Sequence, residues 1–319
     1  MTNRLVAYVT DSGYLLPSLI SACQLADADR MRTADIAIFT VSVPEEVVSR
    51  LQSALSRYRF QFIPMDEKAF TPSSATYFRE GHVPKASLGR LVLSQYVPAQ
   101  YDHIVYIDGD TQVCGDVSAL LNYDVPEGMV AAVSEAFFLE KPSPQRAAYL
   151  SGLGLDDPER YFNSGVLAFR KSTWESVGPE ALEYFFRNPT LCQFHDQSAL
   201  NAVCRDRRVR LDPAYNFHSS FAELGVGRAH PPRIVHFTGS EKPWNYQVWP
   251  WSGRLAKPYR DFLDNNPSLT FQLDVKFSPG WKQLARGLYK AFKYRNQYSD
   301  LLSRRRRFLN YLQGADFAF

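Results

Sequence analysis

Two aspartates stand one residue apart directly after a β-rich apolar run. Asp108 and Asp110 follow His103–Ile107, and Gly109 between them lets the backbone turn sharply. Because alternate residues of an extended segment face the same side, both carboxylates can converge on one point. Carboxylates, together with waters and phosphate oxygens, hold a divalent cation beside a nucleotide. The pair therefore predicts a cation site; the alternative is a turn in which Asp110 caps a helix.

A histidine and a lysine follow the last β-rich run of the chain. His236 lies within residues 233–237, and Gly239 and Lys242 come shortly after it. A lone histidine on an apolar strand is more often an ordinary core residue, but this one precedes a glycine for close approach and a lysine for a phosphate charge. An imidazole among the ligands favours Mn²⁺ over Mg²⁺, because imidazole suits softer ions. The combination indicates a diphosphate leaving group, as in a nucleotide-sugar.

The elements that must position these side chains alternate between strand and helix. This β-α-β-α-β order predicts an α/β chain with an open, mainly parallel sheet. Ligands of such sheets bind outside the carboxyl ends of strands, where Asp11 and Asp108 both lie. The predicted strands are residues 5–10, 35–41, 59–63, 103–107, 129–133, 165–169 and 233–237. The predicted helices are residues 15–25, 45–57, 86–96, 171–186 and 196–205, with an irregular stretch at 64–85.

Composition narrows the class of protein. The chain has 319 residues, of which 45% are hydrophobic and 22% charged, so it can bury a sizeable core and is not disordered. It has neither an apolar run of membrane-spanning length nor a signal-peptide core at its start. The four cysteines form no CxxC pair and are expected to be reduced thiols of a cytoplasmic protein. The body carries no nucleic-acid-binding motif, so nucleic acid is not an expected partner.

The sequence resembles family 8 of the retaining glycosyltransferases, which have the GT-A fold and include bacterial lipopolysaccharide and lipooligosaccharide α-glycosyltransferases and glycogenin. The similarity covers about residues 5–244, and its motifs occur in the family's order. They are residues 10–14 (TDSGY), Arg90, residues 104–110, 161–166 (YFNSGV), 195–201 (HDQSALN) and 236–244. The resemblance implies a GT-A, Rossmann-like single domain with a mostly parallel mixed sheet, followed by a basic helical tail.

The resemblance also assigns roles to residues. Metal ligands are Asp108, Asp110 and His236, with Mn²⁺ expected and Mg²⁺ as the alternative. Asp196 and Gln197 lie beside the anomeric carbon as catalytic residues, and Glu135 matches an acidic position on the acceptor side. Nucleotide-sugar contacts are assigned to Thr10, Asp11, Tyr14, Arg90, Asp108, Gly109, Asn163, Ser164, Gly239 and Lys242.

The reaction that the resemblance implies moves a hexose, with galactose or glucose favoured, from a UDP-sugar. The acceptor is a saccharide or glycolipid such as lipopolysaccharide core, and the anomeric configuration is retained. Two routes are open: a carboxylate nucleophile that forms a glycosyl-enzyme, or front-face attack assisted by the leaving phosphate.

Two other functions fit parts of the sequence. Residues 104–113 also match the first motif of a haloacid-dehalogenase-type phosphatase, with Asp108 as nucleophile, Asp110 as acid and base, and Asp156-Asp157 as a distal acidic pair. That motif normally opens its fold, whereas two β-α units precede it here. The other alternative is a silent membrane-bound scaffold that only binds nucleotide-sugar.

The C-terminal segment differs from the body in charge. We predict a catalytic domain at 1–245, an extension packed on it at 246–275, and a basic amphipathic tail at 276–319, which holds ten basic and two acidic residues. Apolar residues of 281–295 fall on one helical face and basic ones on the other, and four arginines at 304–307 adjoin Phe308 and Tyr311. We expect residues 276–313 to bind an anionic membrane at the inner face of the cytoplasmic membrane; a helix docked on its own body is the alternative.

Overall fold

The computed structural model describes residues 3–71, 86–240, 242–244, 251, 253–269, 281, 285, 287–289, 292 and 297–319. Its strands are β1 (Arg4–Thr10), β2 (Asp35–Val41), β3 (Gln61–Met65), β4 (His103–Ile107), β5 (Thr111–Val113), β6 (Val130–Ser134), β7 (Phe162–Arg170), β8 (Arg208–Arg210), β9 (Phe217–His218) and β10 (Ile234–His236). Its α-helices are α1 (Leu15–Ala28), α2 (Glu45–Ala54), α3 (Ala86–Gly89), α4 (Ser118–Asn122), α5 (Pro144–Gly152), α6 (Lys171–Arg187), α7 (His195–Val203), α8 (Ser219–Ala222), α9 (Gly253–Asn265) and α10 (Tyr298–Gly314).

The central sheet has seven strands in the order β3-β2-β1-β4-β7-β6-β8. The β1–β2, β1–β4, β2–β3 and β6–β8 pairs are parallel, whereas β7 runs antiparallel to both β4 and β6. Alternate residues of β1 enter two different cores: Val6 packs on the side of α1, and Ala7 on the side of α6. A sheet buried on both faces explains why its strands are continuous apolar runs. The predicted α/β class with a mostly parallel mixed sheet is confirmed.

The strand that carries His236 belongs to a second, three-stranded sheet in the order β5-β10-β9. β10 is antiparallel to β5 with His236 opposite Thr111, and the amide of Phe237 donates to the carbonyl of Asp110 at 2.9 Å. Because β5 follows the aspartate pair directly, this pairing brings His236 to the carboxyl end of β4.

Several predicted boundaries differ from the structure, and two of the differences have a visible local cause. The strand expected at 59–63 lies at Gln61–Met65, because Arg59 has a left-handed φ of 59° that ends the preceding 3-10 turn. The helix expected at 86–96 is the short α3 followed by a 3-10 segment, Arg90–Gln95. Gly178 of α6 lies against that segment so closely that a Cβ there would be 2.0 Å from the carbonyl oxygen of Leu91.

The C-terminal helix α10 packs on the body through its apolar face. Phe308 is fully buried and Tyr311 is 5% exposed. In α9, Tyr259 is buried and its ring lies 4.9 Å from that of Trp244. The predicted boundaries at 245 and near 275 and residues 72–85 lie outside the described residues. Within the described part of the chain, no helix has the length and apolarity needed to span a membrane.

Candidate functional site

The structure brings the three predicted metal ligands together at the carboxyl end of β4. One ligand atom from each of Asp108, Asp110 and His236 lies within 4.8 Å of the others. Nε2 of His236 is 3.3 Å from Oδ1 of Asp110 and 3.7 Å from Oδ2 of Asp108. Two carboxylates and one imidazole are a donor set that suits a divalent cation with some affinity for nitrogen.

Hydrogen bonds determine which ring nitrogen of His236 faces the carboxylates. The amide of Gly165 donates to Oδ1 of Asn163 at 2.9 Å, which fixes the orientation of that amide group. The Nδ2 group of Asn216 donates to the same oxygen at 2.8 Å, so Oδ1 of Asn216 faces Nδ1 of His236 at 2.9 Å. Nδ1 must therefore carry the proton, and Nε2 presents its lone pair to the cluster, as in a metal-ligating histidine.

Two glycines make room for this cluster. A Cβ at Gly165 would lie 2.1 Å from Cε1 of His236, so a side chain there would displace the imidazole. A Cβ at Gly109 would lie 2.1 Å from Oγ of Ser18 in α1. The glycine between the two aspartates is therefore favoured by the close contact with Ser18 of α1, whereas its φ lies outside the left-handed region that would itself favour glycine.

Lys242 supplies a positive charge at the same place. Its Nζ lies 2.5 Å from Oδ2 of Asp110 and donates to the carbonyl of Phe237 at 2.5 Å. Burial raises the pKa of Asp110, but the charge of Lys242 and the interaction with His236 outweigh burial and hold that pKa well below its usual range. Burial lowers the pKa of Lys242, and the charge of Asp110 more than restores it. Both groups are ionised at neutral pH.

Arg90 is the charged centre of the buried part of the site. Its Nη2 is 3.0 Å from Oδ1 of Asp108, and its Nη1 donates to the carbonyl of Ser164 at 2.8 Å. Its Nε lies 3.0 Å from Oδ2 of Asp196 but directs its hydrogen to the carbonyl of Ser87, so Arg90 and Asp196 are paired by charge. Burial lowers the pKa of Arg90, but the two carboxylates outweigh burial and raise it.

The predicted nucleotide-binding residues of β1 line a cavity of about 170 Å³. Oδ1 of Asp11 accepts hydrogen bonds from the amides of Gly13 and Tyr14 at 2.9 and 3.1 Å, so Asp11 also holds the turn into α1. The ring of Tyr14 lies 5.8 Å from Nζ of Lys242. The cavity is lined by Thr10, Asp11, Tyr14, Arg90, Asp108, Gly109, Asp110 and neighbouring residues.

Glu135 joins the predicted sugar-side residues into one network. Its Oε2 accepts from Nδ2 of Asn163 at 2.9 Å and lies 3.4 Å from Nε2 of Gln197. Oε1 of Gln197 accepts from the amide of Ser164 at 3.1 Å. Burial raises the pKa of Glu135, but the neighbouring His218 imidazole and the hydrogen-bond donors around the carboxylate, including Asn163, outweigh burial and lower it. Glu135 is therefore a buried, ionised carboxylate beside the predicted catalytic Gln197.

A sequence profile of glycosyl transferase family 8 matches residues 5–248 of this chain. The chain belongs to glycosyl transferase family 8. This membership confirms the resemblance carried by the sequence motifs.

Relatives of this family 8 chain are distant. The general stress protein A of Bacillus subtilis (strain 168) is 25% identical over 256 residues, covering 74% of this chain and 83% of that protein. The lipopolysaccharide glucosyltransferase WaaO of Escherichia coli (strain K12) is 23% identical over 315 residues, covering 93% and 88%. The solved structure of the galactosyltransferase LgtC in complex with donor and acceptor sugar analogs matches with a TM-score of 0.66 at 19% identity, covering 84% of this chain and 96% of that one. The likeness confirms the GT-A fold.

Three residues of this family 8 site were not predicted. Tyr106 donates to Oδ1 of Asp108 at 2.6 Å, and its position two residues earlier on an extended strand could have indicated this. Asn216 orients His236, and His218 is fully buried with Nε2 3.6 Å from Oε1 of Glu135. Nothing local in the sequence marks these two, because only the pairing of β9 with β10 brings them to the site.

The positions of two predicted site residues fit a structural role as well as a functional one. Gly239 has a φ of 85°, a conformation that favours glycine, in an exposed turn. Asp196 is 5% exposed and paired with Arg90, so its position accounts for a charge-balancing role as directly as for a catalytic one.

Proposed function

We propose that this chain transfers a hexose, galactose or glucose, from a UDP-sugar to a saccharide acceptor with retention of configuration. The observation that carries the proposal is the cluster formed by Lys242 and the three predicted metal ligands, next to the cavity that Thr10 and Asp11 line. A departing nucleoside diphosphate carries negative charge. Lys242 and a divalent cation held by the three ligands would balance that charge. The family match supports a transferase over the phosphatase alternative, whose distal acid Asp156 is 87% exposed.

Positive charge at the leaving group has two sources in this proposal. A divalent cation, Mn²⁺ in preference to Mg²⁺, would be held by Asp108, Asp110 and His236 and would neutralise the diphosphate. Lys242 adds a fixed charge that is already oriented by Asp110 and the carbonyl of Phe237. Preoriented charge stabilises the transition state without reorganisation during the reaction.

The contacts of the two buried carboxylates support front-face attack. Asp196 is buried and paired with Arg90, and Glu135 already accepts from Ala136 and Asn163. These contacts occupy both carboxylates. A double displacement requires instead a carboxylate that is directed at the anomeric carbon as a nucleophile. In this scheme Gln197 faces the donor sugar, Glu135 contacts the acceptor, and the acceptor hydroxyl attacks from the side of the leaving phosphate.

The acceptor class is proposed from the relatives. The name of the E. coli WaaO protein places that relative in lipopolysaccharide synthesis, and this chain covers 88% of it. We therefore propose a lipopolysaccharide core or another cell-surface glycan as acceptor, met at the inner face of the cytoplasmic membrane.

Membrane contact is assigned to a smaller surface than residues 276–313. The apolar face of α10 is docked on the body, so Phe308 and Tyr311 are not free to enter lipid. Residues 281, 285, 287–289 and 292 are helical, and the exposed large side chains among them have helical spacing. They are Trp281, Leu288, Tyr289 and Phe292, which are 74, 75, 68 and 63% exposed. We propose that this face, flanked by lysines in sequence, lies on anionic lipid.

Nucleotide release from a panel of UDP-, GDP- and ADP-sugars, with Mn²⁺ and with chelator, tests the function. We expect Mn²⁺-dependent UDP release from one donor, increased by saccharide. Cleavage of a generic phosphate ester with no binding of any sugar nucleotide would favour the phosphatase. Binding of a sugar nucleotide with no release, with or without lipopolysaccharide core oligosaccharide, would favour the silent scaffold.

A further inference from the structure

The C-terminal helix α10 packs against the segment that carries Glu135. Glu135 follows β6 directly and caps a 3-10 turn, Ala136–Leu139, by accepting from the amide of Ala136 at 2.8 Å. The ring of Phe138 in that turn lies 4.3 Å from the ring of Tyr311, and Phe308 lies 4.8 Å from Phe221. The buried face of α10 therefore forms the outer support of the turn.

Arg307 holds the far end of this turn. Its Nη1 donates to the carbonyl of Leu139 at 2.9 Å and to the carbonyl of Glu140 at 2.7 Å. Carbonyls at the end of a helical turn lack partners within the turn. The two hydrogens of Nη1 supply a charged donor to each of these two carbonyls. Glu135 caps one end and Arg307 the other.

Tyr311 holds the residue immediately before Glu135. The hydroxyl of Ser134 has a single hydrogen, which it donates to the carbonyl of Glu159 at 2.8 Å. Nη2 of Arg208 donates to the same oxygen at 2.8 Å, and the hydroxyl of Tyr311 lies 2.8 Å from it. Since the hydrogen of Ser134 is already used, Tyr311 must be the donor. Ser134, with no exposed surface, is thus fixed from three directions.

We infer that α10 is part of the acceptor side of the site, with Arg307 and Tyr311 as positioning residues for Glu135. The inference rests on the proposed function, because it takes Glu135 as the contact to the acceptor. The hydrogen bonds of Arg307 and Tyr311 end on residues 134, 139 and 140. Asp108, Asp110 and Lys242 are held instead by β4, β5 and β10. Glu135 also accepts from Asn163 on the donor side. Loss of the α10 contacts should therefore impair transfer to an acceptor more than it impairs donor hydrolysis.

The first test compares Arg307→Met with Arg307→Lys, Tyr311→Phe and a control, Arg187→Met. Arg187 lies in α6, is 75% exposed and pairs only locally with Glu183, so it controls for loss of a helical arginine. UDP release is measured with donor alone and with methyl β-galactoside, methyl β-glucoside or lipopolysaccharide core oligosaccharide. A misplaced contact group costs on the order of 100-fold in rate.

We expect Arg307→Met to lower kcat/KM for the acceptor about 10- to 100-fold, and to lower donor hydrolysis by a clearly smaller factor. Arg307→Lys should recover part of the loss, because an ammonium can still donate to one carbonyl. Acceptor use by Arg307→Met equal to that of Arg187→Met would overturn the inference. A wild type that releases no UDP from any donor would instead refute the proposed function.

Hydrogen–deuterium exchange supplies a second test that needs no acceptor. Exchange in peptides covering residues 134–141 should be faster in Arg307→Met than in wild type, with residues 103–113 unchanged. Arg187→Met should alter neither region. Unchanged exchange at 134–141 in Arg307→Met would show that α10 does not hold this turn, whichever saccharide is used.

Discussion

Lys242 and Asp110 form a buried ion pair, with Nζ 2.5 Å from Oδ2, although 132 residues separate them in the chain. The pair joins the loop after β10 to the loop after β4, so the lysine proposed to bind phosphate lies beside the carboxylates proposed to bind the cation. Lys242 is 7% exposed, and its charge is oriented before any substrate arrives. A lysine on a flexible surface loop would lack that preorganisation.

Lys242→Met should lower kcat for donor hydrolysis about 100- to 1,000-fold, the usual cost of removing a preoriented charge from a leaving group. The variant should also be less stable by about 3 kcal/mol, because Asp110 loses its buried partner. Lys257→Met is the matched control, since Lys257 is 70% exposed and pairs only within α9. Single-turnover nucleotide release and thermal unfolding measure both effects; a Lys242→Met variant with the activity of the control would contradict the assignment.

Gly165→Ala should weaken cation binding without replacing any of the proposed ligands. The added methyl would lie 2.1 Å from Cε1 of His236 and would force the imidazole out of its position. Orienting groups around a ligand are worth about 10- to 100-fold in metal affinity, and we expect a loss of this size. Gly227→Ala is the control, because a Cβ there would meet only Cδ of Pro232 at 3.9 Å. Titration of Mn²⁺ by calorimetry compares the two, and equal affinities would count against His236 as a ligand.

The acid limb of the pH profile should belong to Asp196. Burial raises the pKa of Asp196 to about 6; the charge of Arg90 lowers it and that of Asp108 raises it. The proposed mechanism uses the ionised form, so activity should fall about tenfold per pH unit below this value. Asp110 and Glu135, whose pKa values are lowered, stay ionised throughout this range. Asp196→Asn should be less active and should lack this limb; an unchanged limb in that variant would assign it to another group.

The contribution of Asp196 to the free energy of unfolding should fall as the pH rises, opposite to the trend expected for activity. Since the pKa of Asp196 is higher in the folded chain than the value of about 4 expected on unfolding, the folded state binds more protons between about pH 4 and 6. The contribution of Asp196 to the free energy of unfolding is therefore complete below pH 4 and is lost as the pH rises through 6. Chemical denaturation of wild type and Asp196→Asn across this window checks the sign.

Local patterns in the sequence were enough to predict much of the fold. The strands β2 and β4 have the predicted bounds, and the aspartate pair comes directly after β4 because glycine and acids end an apolar run. The β-α alternation in the first half favours the parallel pairs β1–β2 and β2–β3, since sequential parallel strands usually lie side by side, but it does not predict that β4 pairs with β1. The error at β3 came from Arg59, whose left-handed backbone leaves no trace in its residue type.

Site residues that adjoin the end of a strand could be predicted from the sequence. Site residues that reach the site only because distant segments pair could not be predicted as well. Asp108, Asp110 and His236 could be grouped from their positions and the family motifs. Asn216 and His218 could not, because the short β9 has no pattern of its own and reaches the site only through β10. The amphipathic pattern of the tail is equally compatible with binding to lipid and with docking on the body. The burial of Phe308 and Tyr311 shows that α10 docks on the body, whereas the large side chains at 281–292 are exposed.

Membrane attachment should depend on the exposed face at 281–292 and not on α10. We expect the triple variant Trp281→Ser, Leu288→Ser, Phe292→Ser to lose at least 100-fold in partitioning onto phosphatidylglycerol vesicles, since each apolar side chain that enters lipid contributes about 1.5–3 kcal/mol. Its donor hydrolysis should match wild type, because none of the three side chains is among the residues of the site. Deleting residues 276–319 is a poor test, since it also removes Phe308 and Tyr311 from the core.

The control for this variant is Met31→Ser, which removes an exposed apolar side chain, 89% exposed, from a different part of the surface. Co-sedimentation is measured with phosphatidylglycerol vesicles and with neutral phosphatidylcholine vesicles, at low and high salt. Binding through lysines and exposed aromatic rings should be strong on the anionic vesicles and should weaken with salt, because screening reduces attraction to the lipid charge. Equal sedimentation of the triple variant and the Met31→Ser control would place lipid contact elsewhere on the chain.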